Sequence, residues 1–260
     1  MHKSKKRVLL LSEGFGSGHT RAAHALAVGI RHLNPDIQTK VLELGKFFNP
    51  VLGPLIVSAY RKTVTKQPKW WGRIYRSNYK RTLNRFAQLA LHRLFYTQTS
   101  EVITQLKPDA IICTHPAPNA VVARLKRLGL NVPLFTLITD YDAHGTWANP
   151  EVNKYLVSTP IVKNKLMEHG VPDSRIEVTG IPVHPDFWTP CDKDDIRGEF
   201  GLKDMPTVLI MGGGWGLLND ENGLFEYMAE HREHIQLIFC AGNNEKVKEQ
   251  LEGNPLFRHP

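Results

Sequence analysis

The residue types able to do chemistry gather in three short stretches. The first is Gly14-Phe15-Gly16-Ser17-Gly18-His19, which follows the apolar run Val8 to Leu11 and opens a helical pattern. Glycines at such a turn let backbone N–H groups come close to a ligand, and the helix N-terminus behind them favours negative charge. The stretch has neither the spacing of a dinucleotide fingerprint nor the Lys-Ser/Thr of a P-loop. In isolation it is equally well a tight turn with a structural histidine. Its place at the mouth of a sheet, where open α/β folds bind ligands, points to a functional His19. An imidazole with a pKa of about 6.5 suits a general base near neutral pH.

The second stretch is Thr139-Asp140-Tyr141-Asp142-Ala143-His144-Gly145-Thr146-Trp147. It puts two carboxylates, an imidazole and an indole at the same sheet edge as His19. Asp140 and Asp142 spell the D-x-D of metal-dependent sugar transfer, but no nearby residue completes a hard-cation shell, so no metal is expected. The bland alternative for His144 is a loop histidine bonded to its neighbours. The third stretch, Met211-Gly212-Gly213-Gly214-Trp215-Gly216, repeats the strand–glycine–helix logic and suits a diphosphate, or else is a second tight turn. Cys113, Cys191 and Cys240 lack metal-ligand spacing and read as reduced core thiols.

The elements that must carry these stretches alternate between strand and helix. Strands are expected over 7–12, 38–44, 110–113, 132–139, 154–157 and 175–178, with helices over 19–32, 82–107, 119–128 and 161–169. Short apolar runs punctuated by Gly and Pro, alternating with helical periods, argue for a parallel sheet covered on both faces. Residues 180–190 hold three prolines and read as a linker. The α/β pattern then restarts, with helices over 192–200, 222–231 and 245–251 and strands over 207–211 and 235–241. Two strands leave a sheet face and edge bare, so this second unit reads as incomplete.

The charge is uneven. The net charge is +8, yet residues 46–100 alone carry eleven Lys or Arg and no Asp or Glu. Aromatic residues interleave with these cations, among them Trp70, Trp71, Tyr75 and Tyr79. Rings prefer the headgroup boundary and cations an anionic surface, so Lys69, Trp70, Trp71, Arg73 and Arg76 are expected to dock on a membrane. A solvated basic face is the plainer alternative. Single-stranded nucleic acid also binds such mixtures, but it would leave the glycine–histidine loops unexplained, so no nucleic-acid partner is expected. No segment reaches the roughly 20 apolar residues of a membrane span. The apolar run behind the basic start is too short for a signal peptide. A cytoplasmic protein held peripherally on the inner face of the cell membrane is the expectation.

Four ordered motifs carry a resemblance: Gly16-Ser17-Gly18-His19 with Arg21-Ala22-Ala23; Thr139-Asp140-Tyr141 with His144 and Trp147; Val178-Thr179-Gly180-Ile181-Pro182-Val183; and Met211-Gly212-Gly213-Gly214. Together they resemble the processive diacylglycerol glucosyltransferases and plant-type monogalactosyldiacylglycerol synthases, from about residue 7 to the C-terminus. The resemblance implies a GT-B fold of two Rossmann-like domains, with an acceptor- and membrane-binding domain over 1–183 and the first part of a UDP-sugar-binding domain over 184–260. It implies inverting, metal-independent transfer of glucose or galactose from UDP-glucose or UDP-galactose to diacylglycerol, without a cofactor. By the same resemblance His19 is the base, and Asp140 or His144 could orient it or hold the acceptor. Gly16, Ser17, Gly18, Tyr141 and Trp147 would bind the acceptor, and Gly212, Gly213, Gly214, Trp215 and Gly216 the donor. Two alternatives stand beside it: a polyprenyl-linked wall precursor as acceptor, and a non-catalytic membrane-binding fragment without a full donor site.

Overall fold

The computed structural model describes residues 5–14, 17–48, 97–216, 218 and 223–257. Gly16, the expected docking residues Lys69, Trp70, Trp71, Arg73 and Arg76, and the part of the expected long helix over 82–96 lie outside the described residues. The chain divides into two compact units, Met1–Trp188 and Thr189–Pro260.

The first unit is built on six parallel strands in the order β2-β1-β3-β4-β5-β6. They are β1 (Arg7–Ser12), β2 (Gln38–Glu43), β3 (Ala110–Cys113), β4 (Leu134–Leu137), β5 (Lys154–Val157) and β6 (Ile176–Val178). The unbroken Val-Leu-Leu-Leu run of β1 is that of a strand covered on both faces. Leu9 and Leu11 enter one core cluster with Ile111, Leu134, Tyr155 and Val157. Leu10 enters the other, with Ile112, Leu137 and three alanines of helix α1 (Ser17–Leu33), Ala22, Ala23 and Ala27. Those alanines share one side of the helix and carry no bulk, so α1 lies close on the sheet.

From β1 the chain winds to β2 on one side, then crosses back to β3 on the other. The strand order therefore reverses at β1, and the crevice outside the carboxyl ends of β1 and β3 is the topological switch point of the sheet. Ser12, Glu13, Thr114 and His115 are the residues that leave those two strand ends. Helices α2 (Leu44–Phe48), α3 (Thr97–Leu106), α4 (Pro116–Arg127) and α5 (Pro160–Glu168) complete the described covering elements of this unit.

Other ends shift by a residue or two, but two elements depart from the sequence expectation for a visible reason. The helix expected over 119–128 begins at Pro116, because His115 caps it: its Nδ1 accepts from Ala117 N at 3.2 Å, and Pro116 takes a first-turn position that needs no N–H. The strand expected over 132–139 is the shorter β4. The last ladder bond, from Ile138 N to Leu156 O at 2.9 Å, releases the chain before Thr139.

The second unit pairs β7 (Thr207–Met211) with β8 (Gln236–Cys240) in parallel, beside α6 (Lys193–Glu199), α7 (Leu224–Glu230) and α8 (Glu245–Gly253). The expectation of a core thiol holds for Cys113, which is buried, and fails for Cys191 and Cys240, which are exposed. Cys240 ends a strand of a two-stranded sheet with the burial pattern Biiie, so alternate side chains there are not enclosed as they are in β1.

Candidate active site

His19 stands in the first turn of α1, half-buried at the switch point. Thr139 Oγ1 lies 2.8 Å from its Nδ1. This bond joins α1 to the loop after β4, two elements 120 residues apart in sequence, and it fixes the tilt of the ring. Burial lowers the pKa of His19, while the negative charge of Asp140 and a hydrogen bond with the Thr114 backbone pull it back up. A ring whose neutral form is favoured, with a carboxylate close enough to stabilise the cation, is equipped to accept a proton and hold it briefly.

Two more imidazoles surround it. His115, at the end of β3, meets His19 edge to face with ring centroids 4.9 Å apart. Burial, reinforced by the charges of His19 and His144, pushes its pKa down to about 3, so this ring stays neutral near physiological pH. His144 is also shifted down by burial, against the opposing pull of Asp140 and Asp142. Its Nδ1 bonds with Thr146 Oγ1. Sequence reasoning passed over His115, and it placed Thr139 in the second stretch without giving it a role. The signal for His115 was a polar residue before Pro116 at the end of an apolar run.

Trp147 is the common floor. It is fully buried, with its ring 6.3 Å from that of His19 and 6.2 Å from that of His144. The expected acceptor-binding role thus meets a residue packed inside the core, where it backs the histidines and presents no surface. Its backbone carbonyl accepts from Asn119 Nδ2 at 3.0 Å and from the Tyr155 hydroxyl at 3.2 Å, and Asn119 Oδ1 accepts from Thr136 Oγ1 at 2.8 Å. Asn119 and Thr136 are themselves fully buried. A satisfied polar chain of this kind fixes its members rigidly.

The rest of the second motif faces outward. Asp140 is exposed, and its backbone carbonyl accepts from Ser158 Oγ at 2.8 Å. Tyr141 is 73% exposed, free to meet a ligand. Asp142 turns its carboxylate back on the chain, where Oδ1 accepts from Ala143 N at 2.9 Å. Ser17 and Gly18 are exposed at the start of α1. Among the described residues, no group of three or more His, Cys, Asp or Glu side chains is placed to hold a metal ion.

A carboxyl that the sequence reading left unassigned lies beside the first glycine turn. Glu13 is only 5% exposed and accepts from Gly45 N at 2.9 Å. Burial, helped by the neighbouring Glu43, pushes its pKa up to about 7 against the pull of that hydrogen bond.

In the second unit the glycine turn after β7 folds tightly on the turn after β8. Gly213 and Gly216 have φ of 65° and 59°, in the left-handed region. A Cβ on Gly216 would fall 1.8 Å from Ala241 O, and one on Gly242 2.3 Å from Gly213 O. Only glycine fits either place. Gly212 N donates to Cys240 O at 3.0 Å and Gly216 N to Gly213 O at 3.1 Å, so these two amides of the expected donor loop are engaged within the unit.

An α/β chain of two units, with its histidine site at the switch point of a parallel sheet and a second glycine turn on another, has the GT-B fold of two Rossmann-like domains. Solved structures share it: HepE from Anabaena in complex with UDP-glucose has a TM-score of 0.54 at 12% identity, covering 95% of this chain and 64% of that one. S. aureus MnaA in a UDP co-structure has a TM-score of 0.53 at 14% identity, covering 98% and 67%. The sequence sets the family more narrowly. Residues 19–183 match monogalactosyldiacylglycerol (MGDG) synthase, and the chain belongs to that family. It is similar to the processive diacylglycerol beta-glucosyltransferases of Bacillus licheniformis and Bacillus subtilis, at 29% identity over 254 and 258 residues. That of Staphylococcus saprophyticus is 25% identical over 252 residues. The chain is matched over 95–96% of its length and spans 63–64% of these relatives.

Proposed function

We propose that this chain carries the acceptor-activating site of a glycosyltransferase that moves a hexose, glucose or galactose, from a UDP-sugar to the hydroxyl of diacylglycerol at a membrane surface. The observation that carries the reading is His19, held by Thr139 at the switch point with Asp140 beside it, in a chain of this family. Relatives named as diacylglycerol glucosyltransferases supply the acceptor class, and the UDP-sugar in the HepE structure supplies the donor class.

In this reading the neutral His19 imidazole takes the acceptor hydroxyl proton as the oxygen attacks the anomeric carbon. The bond from that carbon to the UDP oxygen breaks on the opposite face, so configuration inverts and UDP leaves with the electron pair. Asp140 offsets the charge the imidazolium acquires. His115, neutral and edge-on, packs the ring without competing for the proton. His144 and Tyr141 line the approach of the acceptor. The turn Gly212 to Gly216 contributes to holding the diphosphate, and no metal or cofactor enters the chemistry. The basic, aromatic residues over 46–100, with Lys69, Trp70, Trp71, Arg73 and Arg76 at their centre, dock the chain on anionic lipid. The protein works on the inner face of the cell membrane. Among the described residues, no helix is long and apolar enough to cross a bilayer.

The test is sugar transfer by the purified chain, with UDP-glucose or UDP-galactose and diacylglycerol in liposomes containing anionic lipid, in the presence of EDTA. The expected product is a β-linked hexosyl diacylglycerol. Transfer only to a polyprenyl-linked acceptor, or none with either donor, contradicts the reading.

A further inference from the structure

We propose that Glu13 is a positioning residue for this site: its buried carboxyl ties the end of β1 to the start of α2 and, with the adjoining Glu43–Thr20 bond, sets the pose of the first turn of α1, on which His19 stands. The proposal rests on reading His19 as the proton acceptor.

Glu13 follows β1 directly and is 5% exposed, and among the described residues no cation pairs with it, a rare setting for a carboxyl. Its Oε1 accepts from Gly45 N at 2.9 Å. A Cβ on Gly45 would come within 2.9 Å of Glu13 Oε2, so a side chain at 45 would push the carboxyl from its present seat. Beside it, Thr20 Oγ1, the residue next to His19, donates to Glu43 Oε1 at 2.7 Å and lies 3.3 Å from Ser12 Oγ. Four elements thus meet at the carboxyl end of β2. Glu13 fixes β1 to α2, and Glu43 fixes β2 to α1. Neither bond reaches His19, so the effect on the base passes through the pose of α1.

Among the described residues, the charged group acting on Glu13 is Glu43 on β2, and the donor from α2 is Gly45 N–H. Burial and Glu43 together place the titration of Glu13 at about 7. Below that pH the carboxyl carries a proton. Above it a second negative charge develops against the Glu43 carboxyl and strains the junction. The rate should therefore fall as pH rises through about 7, through a group other than His19.

The experiment compares wild type with E13Q and E13A in two readouts. Glutamine keeps an acceptor for Gly45 N–H and cannot ionise. In the transfer assay E13A is expected to lower kcat roughly tenfold with the KM for UDP-sugar unchanged. E13Q is expected to keep the wild-type kcat at about pH 6 and to lack the fall above about pH 7. In hydrogen exchange of the native chain, peptides covering residues 17–25 are expected to exchange on the order of tenfold faster in E13A and at the wild-type rate in E13Q. A wild-type kcat in E13A, or a fall above about pH 7 that persists in E13Q, overturns the proposal. So does unchanged exchange in E13A. If wild type transfers no sugar, the exchange result still decides the positioning role, and the failure belongs to the functional reading.

Discussion

Replacing His115 by Asn removes a titrating ring from the centre of the site and leaves a side-chain oxygen able to cap α4, since Asn is among the preferred N-cap residues. In the folded chain burial holds His115 at about 3, against 6.5 for an unburied histidine. Between those values the unfolded chain binds the proton and the folded chain does not. Stability therefore rises with pH across this window, and is lost as pH falls from 6.5 toward 3. At about pH 5 the two states differ by roughly 1.5 pH units of free energy, at about 1.4 kcal/mol per unit, which is about 2 kcal/mol. That is a sizeable share of the roughly 5–15 kcal/mol that holds a domain folded. The assay is urea unfolding followed by tryptophan fluorescence at about pH 7.5 and about pH 5. Losing the edge-to-face contact with His19 shifts the variant at both pH values, so the difference between the two conditions isolates the proton. Wild type is expected to lose about 2 kcal/mol more than His115→Asn between them. A difference constant to within about 0.5 kcal/mol would refute the claim that the fold holds this ring neutral.

The carboxyl opposite predicts the reverse sign. Glu13 is raised from 4.5 to about 7, so its favourable contribution is complete below 4.5 and is lost as pH rises through about 7. At about pH 8 Glu13→Gln should unfold at higher urea than wild type, by up to about 3 kcal/mol, and the gain should vanish near pH 4. Asn119→Ala leaves the Thr136 hydroxyl without its acceptor and takes one donor from the Trp147 carbonyl, at a cost of about 1–3 kcal/mol in urea. Because that bond positions Trp147 behind the histidines, the variant should also lose transfer at temperatures where it is still folded.

The strand–helix order of the first unit was legible because fully buried parallel strands write themselves as apolar runs such as Val8 to Leu11 and Ala110 to Cys113. His19 was legible from its place after such a run, and its partner stretch Thr139 to Trp147 from the density of polar types. Glu13 was not, because a glutamate in a glycine turn looks like any solvated loop residue. Its partner Gly45 is 32 positions away, and the carboxyl packs against that bare glycine and takes its N–H. His115 was hidden by its neighbours: the helix was expected only from 119, past the prolines at 116 and 118, whereas Pro116 opens the helix that His115 caps. Trp147 shows the opposite failure. An indole among catalytic types suggests a ligand platform, but Trp147 is fully buried in the core cluster that also holds Tyr155 and Val157, and Asn119 and Tyr155 bond its carbonyl. Cys240 ends an apolar run as Cys113 does, and only the number of strands beside it separates an exposed thiol from a buried one.

The central claim is that His19 accepts the acceptor's proton, and the most direct measurement is single-turnover transfer from UDP-sugar to diacylglycerol by wild type and His19→Ala across pH. The account predicts a loss of roughly 10²- to 10⁴-fold in the chemical step for the variant. In wild type it predicts an acid limb with its midpoint below 6.5, because burial favours the neutral ring. A variant within about threefold of wild type, or one that keeps the same acid limb, would place the base on another residue.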